Sequence, residues 1–191
     1  MKLTFSDICF ILSAICFGVG TAIYPADTEA VDPPPPVIVS YDLGLQITNA
    51  TDYKDMVDSL LSLRPQDIAV FKLHNYGGSV AGLMYLLNIL DRVKSHKIAD
   101  VDGPTFSAGA QLACAMDEVK LGQYSYLMFH AGSISFPPDT KTSDITHFIE
   151  ANKVVDAKLM DLCIKKKILT KEQAADVMKG IDIYVFPEDL K

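Results

Sequence analysis

The chain has 191 residues, a hydrophobic fraction of 49%, a mean hydropathy of +0.20 and a formal net charge of −7. That length suits one domain with a sizeable core, and an acidic balance without a basic patch argues against nucleic acid as a partner. Of its four cysteines, Cys9 and Cys16 lie inside an apolar N-terminal run, and Cys114 and Cys163 in the body are too few and too separated for a disulfide framework or a zinc site.

Residues 8–24 carry no charge and are apolar apart from positions such as Ser13 and Thr21. A membrane-crossing helix needs roughly 17–25 such residues, so this run stands at the lower limit. Lys2 precedes it, and Gly20-Thr21-Ala22 offers the small residues that a signal peptidase reads. Residues 1–24 therefore read as a signal peptide or a single membrane anchor. Either places the rest of the chain outside the cytoplasm, in the periplasm or another exported location; an ordinary buried helix in a cytoplasmic protein is the alternative. Residues 25–36 are acidic and end in Pro33, Pro34, Pro35 and Pro36. Such a segment makes an extended polyproline linker and no core. The folded domain is expected over residues 37–191.

From Val37 onward, strand and helix signals alternate. Val37–Tyr41 is β-branched and apolar, and a second strand-like stretch reaches Thr48. Asn49 or Thr51 can cap a helix over 52–63, where Met56, Leu60 and Leu63 recur at helical spacing, and Arg64-Pro65 stops it. Ile68–Leu73 reads as a buried strand, Asn75–Gly78 as a turn and Ser79–Lys94 as an apolar helix. Ile98–Val101 is a short strand, Gly103-Pro104 a turn and Ser107–Met116 a helix of small residues. Val119–Leu121 and Tyr126–Phe129 are strands; Ser143 can cap a long helix to Lys167, and Thr170 another that ends at Gly180. The alternation predicts an α/β domain with a mainly parallel sheet. Cys114 and Cys163 are expected inside it as two buried free thiols, a single bridge between them being the alternative.

Three segments carry potential chemistry. In His74-Asn75-Tyr76-Gly77-Gly78-Ser79 a strand leads through two glycines into a helix, and glycines there let the backbone turn tightly and present N–H groups. In Gly103-Pro104-Thr105-Phe106-Ser107-Ala108-Gly109-Ala110 a serine opens a helix. The ordinary role of such a serine is an N-cap; the functional one is a nucleophile, with the N–H groups of Ala108 and Gly77 as an oxyanion hole. The third is His130, in Tyr126-Leu127-Met128-Phe129-His130-Ala131-Gly132, an imidazole suited to taking a proton from a serine hydroxyl.

Taken in order, Gly-Gly after a strand, Phe-Ser-Ala-Gly-Ala opening a helix and Met-Phe-His-Ala closing a strand resemble the Clp protease proteolytic subunit and its phage and membrane-associated relatives, over about residues 37–189. The resemblance implies a ClpP/crotonase-like α/β spiral of βαβ units, assembled as a homo-oligomeric ring, and a serine endopeptidase acting on peptides or unfolded proteins. It implies Ser107 as nucleophile, His130 as general base and Gly77 and Ala108 as the oxyanion hole. Asp182, in Asp182-Ile183-Tyr184-Val185-Phe186-Pro187-Glu188, matches the acid that orients the base. No metal or organic cofactor is implied. Membrane-bound relatives of the fold use a Ser-Lys dyad, for which Lys141, Lys153 and Lys158 are the candidates, given burial enough to lower a lysine pKa.

The sequence also departs from the family. Asn75-Tyr76 stands where Ser-Pro is usual before the glycine pair, and Ser133–Thr142, with Pro137-Pro138, replaces the glycine-rich strand after the histidine. The segment that docks a hexameric unfoldase is replaced by residues 8–36, which argues against an ATPase partner. The chain stops at Lys191, where the family continues to a last strand. The competing expectations are a catalytically inactive assembly or scaffold subunit of this fold, and a crotonase-type enzyme that processes acyl-CoA.

Overall fold

A computed structural model describes residues 33–133 and 136–190 of the chain. Among them Pro36 onward forms a unit of its own, and residues 1–24, with the expected signal or anchor, lie outside the described residues. No helix among the described residues is long and apolar enough to cross a membrane.

The alternating apolar pattern builds β1 (Ile38–Asp42), β2 (Ile68–Leu73) and β3 (His96–Val101), which pair in parallel and are joined by α1 (Lys54–Ser62) and α2 (Val80–Leu90). The strand-like stretch expected up to Thr48 forms no strand; Ile47 makes only an isolated bridge to Gly78. The chain then runs through β4 (Pro104–Phe106), α3 (Ala108–Ala113), β5 (Glu118–Leu121) and β6 (Tyr126–Phe129). It ends with α4 (Thr142–Lys165), α5 (Lys171–Met178) and β7 (Ile183–Val185). Two sheets result: four strands in the order β1-β2-β3-β5, all parallel, and three in the order β4-β6-β7. In the second, β4 runs parallel to β6 and β7 antiparallel to it. The fold is α/β with a parallel main sheet.

Period-2 alternation decides which side chains make the core. Ala69, Phe71 and Leu73 of β2 and Ala99 and Val101 of β3 point inward and are buried with Leu60, Leu83 and Leu86. The opposite face carries one cross-strand row of alternating charge, Asp42, Lys72, Asp100 and Lys120, set by the register. Opposite charges on neighbouring strands support pairing modestly. Caps fix several helix starts. Thr170 Oγ1 accepts from Gln173 N–H at 3.1 Å while the Gln173 side chain accepts from Thr170 N–H at 2.8 Å, a reciprocal capping box. Ser143 is not the cap of α4; Lys141 holds that position and the Ser143 hydroxyl bonds the Asp144 carboxylate instead.

Cys114 and Cys163, expected as free thiols, form a disulfide with Cα atoms 4.9 Å apart and both residues fully buried. Cys114 follows α3 and Cys163 lies in the last two turns of α4, so the bridge ties the short helix to the long one. Their spacing along the chain gave no sign of this, because it is the packing of two helices that brings the sulfurs together. Replacing both by serine is expected to lower stability by about 2–4 kcal/mol, since the link closes a long loop in the unfolded chain. Urea unfolding without reductant measures this, and an unchanged midpoint contradicts a formed bridge.

Candidate active site

Ser107 sits between β4 and α3, a strand–serine–helix junction. Its backbone has φ 55° and ψ −125°, and it is one of two non-glycine residues with positive φ among those described. An ordinary N-cap residue is extended and lends its side-chain oxygen to the helix amides. Ser107 does neither: its side chain makes no capping bond. Holding a non-glycine residue in such a region costs about 1–3 kcal/mol, which the surrounding structure must supply. The same sharp turn between strand and helix is how a nucleophilic serine is presented in G-x-S-x-G hydrolases.

The frame that holds it is a buried asparagine. Asn75 is fully buried; its Nδ2 donates to the Gly44 carbonyl at 2.8 Å and its Oδ1 accepts from Gly77 N–H at 2.9 Å. Its backbone carbonyl accepts from Phe106 N–H at 2.8 Å, directly before the serine. On the other side, Ser107 N–H donates to the Met128 carbonyl at 2.8 Å. Gly77, at φ +89°, packs so closely that a Cβ there would stand 2.7 Å from the Ser107 Cβ and 3.2 Å from the Ala108 amide nitrogen. The glycine turn, the serine and the first amide of α3 thus converge on one place. The Ala108 N–H begins its helix and has no intrahelical carbonyl to bond. The Gly77 N–H, by contrast, already has Asn75 Oδ1 as its acceptor.

Strand register brings the other two predicted residues to the same edge. β4 pairs with β6 through Phe106 and Met128, so Ser107 and then His130 follow at the same end of neighbouring parallel strands. β6 pairs with β7 through Phe129 and Ile183, and one step beyond that pair stand His130 and Asp182. Ser107, His130 and Asp182 therefore cap one end of the three-stranded sheet. Their side chains are not yet linked: among the described residues no hydrogen bond joins the His130 ring to Ser107 or to Asp182. Asp182 is exposed and His130 half-buried. The lysines considered as an alternative base, Lys141, Lys153 and Lys158, are all exposed, whereas a lysine base is ordinarily desolvated in an apolar pocket or set beside another cation.

His130 lines a cavity of about 100 Å³ with Gln111 of α3, Lys153, Asp156 and Met160 of α4, and Val177 and Met178 of α5. Burial pushes the Asp156 carboxyl up from its ordinary value. A larger hollow of about 690 Å³ lies between the loop after β1 and α1, with Tyr76 on its rim, and contains neither the serine nor a histidine. Sequence reading missed Asn75 as an organiser and Gln111 and Asp156 as cavity residues. It also missed a row of rings on the outer face of the small sheet, Tyr76, Phe106, Tyr126 and Phe186, with successive centroids 5.5, 5.6 and 5.5 Å apart. Only the position of Gln111, one turn beyond Ser107, carried a signal that periodicity can read. Among the described residues no three His, Cys, Asp or Glu side chains are grouped to hold a metal ion.

No protein-family model matches the chain, and no curated protein matches it significantly. The functional reading therefore rests on the geometry and the motifs.

Gly77→Ala is expected to destabilise the protein by about 1–3 kcal/mol, because it adds an atom against the serine turn and forces alanine to positive φ. Gly132→Ala, with nothing within 4 Å of the added atom, is the control and should shift stability by no more than about 0.5 kcal/mol. Equal losses in urea titrations of the two variants would contradict the close approach at Gly77.

Proposed function

We propose that the chain is a serine endopeptidase of the kind the motifs resemble, the Clp protease proteolytic subunit, with its β-α units forming the ClpP/crotonase-like spiral. The observation that carries the reading is the strained Ser107 at a strand-to-helix junction, on the same sheet edge as His130 and Asp182. Ser107 Oγ attacks the substrate carbonyl while His130 takes its proton; the tetrahedral oxyanion forms beside the Ala108 N–H. His130 then gives the proton to the leaving amine, and water attacks the acyl-enzyme by the same route to release the acid and restore the serine. Asp182 holds the imidazole in the tautomer with its acceptor nitrogen toward the serine.

Assembly and location follow the same resemblance. α4 exposes Phe148, Ile149 and Val154 in its early and middle turns, apolar surface that supports association of copies into rings. The Cys114–Cys163 bridge supports an oxidising compartment, and so an exported or membrane-anchored protein attached through residues 8–24. Peptides or unfolded proteins are the substrates; no unfoldase is invoked.

One bond favours a second reading. With Gly77 N–H held by Asn75, the oxyanion has one dedicated donor, and Gly77 can serve it only as a bifurcated donor. Losing one such donor costs about 10²–10³ in rate. The same fold would then persist as a weakly active or silent assembly subunit.

Hydrolysis of short fluorogenic peptides separates the two. Wild-type turnover that vanishes in Ser107→Ala and drops by about 10²–10⁴ in His130→Ala and in Asp182→Asn supports the peptidase. Turnover independent of Ser107, or absent from a folded, assembled wild type, supports the scaffold.

A further inference from the structure

The cavity beside His130 has the chemistry of a ligand pocket. Its wall is apolar, with Met160 and Val177 buried and Met178 at the rim. Into it come polar groups that the fold leaves unmatched. Gln111 is 9% exposed, yet among the described residues its side chain makes no hydrogen bond to the protein. Asp156 is half-buried, and among the described residues it has neither a hydrogen-bond donor nor a cation within 4 Å. Lys153 lines the same cavity from one turn earlier on α4, exposed and likewise unpaired. The polar atoms of both side chains stay accessible from the cavity, so an amide and a carboxylate without protein partners around one largely apolar hollow are free to meet a ligand.

We propose that this cavity receives the substrate side chain on the acyl side of the scissile bond, and that Asp156 selects a side chain with an aliphatic stem and a cationic tip. The inference rests on the serine-hydrolase reading, which gives the cavity its place between the base and the substrate. Position supports it. Gln111 stands one turn after Ser107 on the same short helix, and His130 forms part of the cavity wall, so a residue acylating Ser107 has its side chain beside this opening. Size supports it too. A cavity of about 100 Å³, smaller than the roughly 150 Å³ one that takes benzene, admits an unbranched aliphatic chain more readily than an aromatic ring. Charge completes the argument. Burial raises the cost of the Asp156 carboxylate, and a cation brought by the substrate relieves that cost, whereas an acidic tip adds to it. Met160, Val177 and Met178 cover the methylene stem of lysine as they would that of norleucine. Preference between those two side chains therefore isolates the contribution of Asp156.

The test is a set of tripeptide substrates that differ only at this residue, lysine, norleucine, phenylalanine or aspartate, assayed with the full chain. The wild type is expected to favour lysine over norleucine by at least about tenfold in kcat/KM, a difference of about 1.4 kcal/mol, with phenylalanine and aspartate the poorest. Asp156→Asn should bring the lysine-to-norleucine ratio to near one, and Lys153→Met, at an exposed site, should raise it. A wild-type ratio of one or less, or a ratio unchanged in Asp156→Asn, overturns the proposal while leaving the hydrolase standing. Calorimetric binding of the uncleaved lysine and norleucine peptides to the full-length Ser107→Ala variant is the second arm. Lysine-selective binding lost on adding Asp156→Asn, when the wild type hydrolyses none of the four peptides, keeps the pocket and removes the hydrolase. Absence of both binding and hydrolysis removes both.

Discussion

The candidate site is organised by one buried side chain, Asn75. A buried amide costs free energy unless its polar atoms are matched, and Asn75 meets that condition by binding the loop after β1 through Gly44 and the glycine turn through Gly77. Its backbone carbonyl holds β4 at Phe106, so the loop after β1, the glycine turn and β4 are all fixed to one residue. Gly109 of α3 packs against the same side chain so tightly that a Cβ there would stand 2.8 Å from Asn75 Oδ1. Ser107 lies between these anchored pieces, which is how the fold can keep it at φ 55°. Strain persists where neighbours over-determine a conformation, and here they do so from both sides.

This arrangement carries an internal tension. The bond that fixes the glycine turn is made by the amide that an oxyanion would need. Under the proposed mechanism a sharply presented serine favours activity, while a Gly77 amide already held by Asn75 opposes it. If the site is active, Asn75 must share or release Gly77 as negative charge develops on the substrate oxygen. If it is not, Asn75 has turned a catalytic cleft into a rigid joint. The disulfide between α3 and α4 acts in the first sense, since it steadies the helix that follows the serine against the one bearing Asp156 and Met160.

Local signals were readable where they were strong. The apolar run of Ile68–Leu73 gives β2 with its observed ends, Tyr126–Phe129 gives β6, and the Thr170–Gln173 pair marks the start of α5. What escaped were features created by tertiary contacts. β4 and β7 have three residues each and exist only because β6 lies between them to pair with both. Gly103-Pro104 therefore read as a plain turn, although Pro104 begins a strand at its first position, where a proline is tolerated. The serine, histidine and aspartate were found through motifs, but the register that sets them on one edge is a property of the folded sheet. Asn75, Gln111 and Asp156 are common residue types in ordinary settings, and only the folded surroundings mark them out, complete hydrogen bonding for Asn75 and a shared cavity for the other two.

Under the proposed mechanism Ser107 is held ready beside His130 and the Ala108 amide. A crystal structure of the full-length protein after reaction with a small fluorophosphonate tests it most directly. The expected result is a phosphorus bonded to Ser107 Oγ, one phosphonyl oxygen within hydrogen-bond distance of Ala108 N–H and the His130 ring turned toward Ser107 Oγ. An unmodified Ser107, or an adduct whose oxygen points to solvent away from both groups, would contradict it.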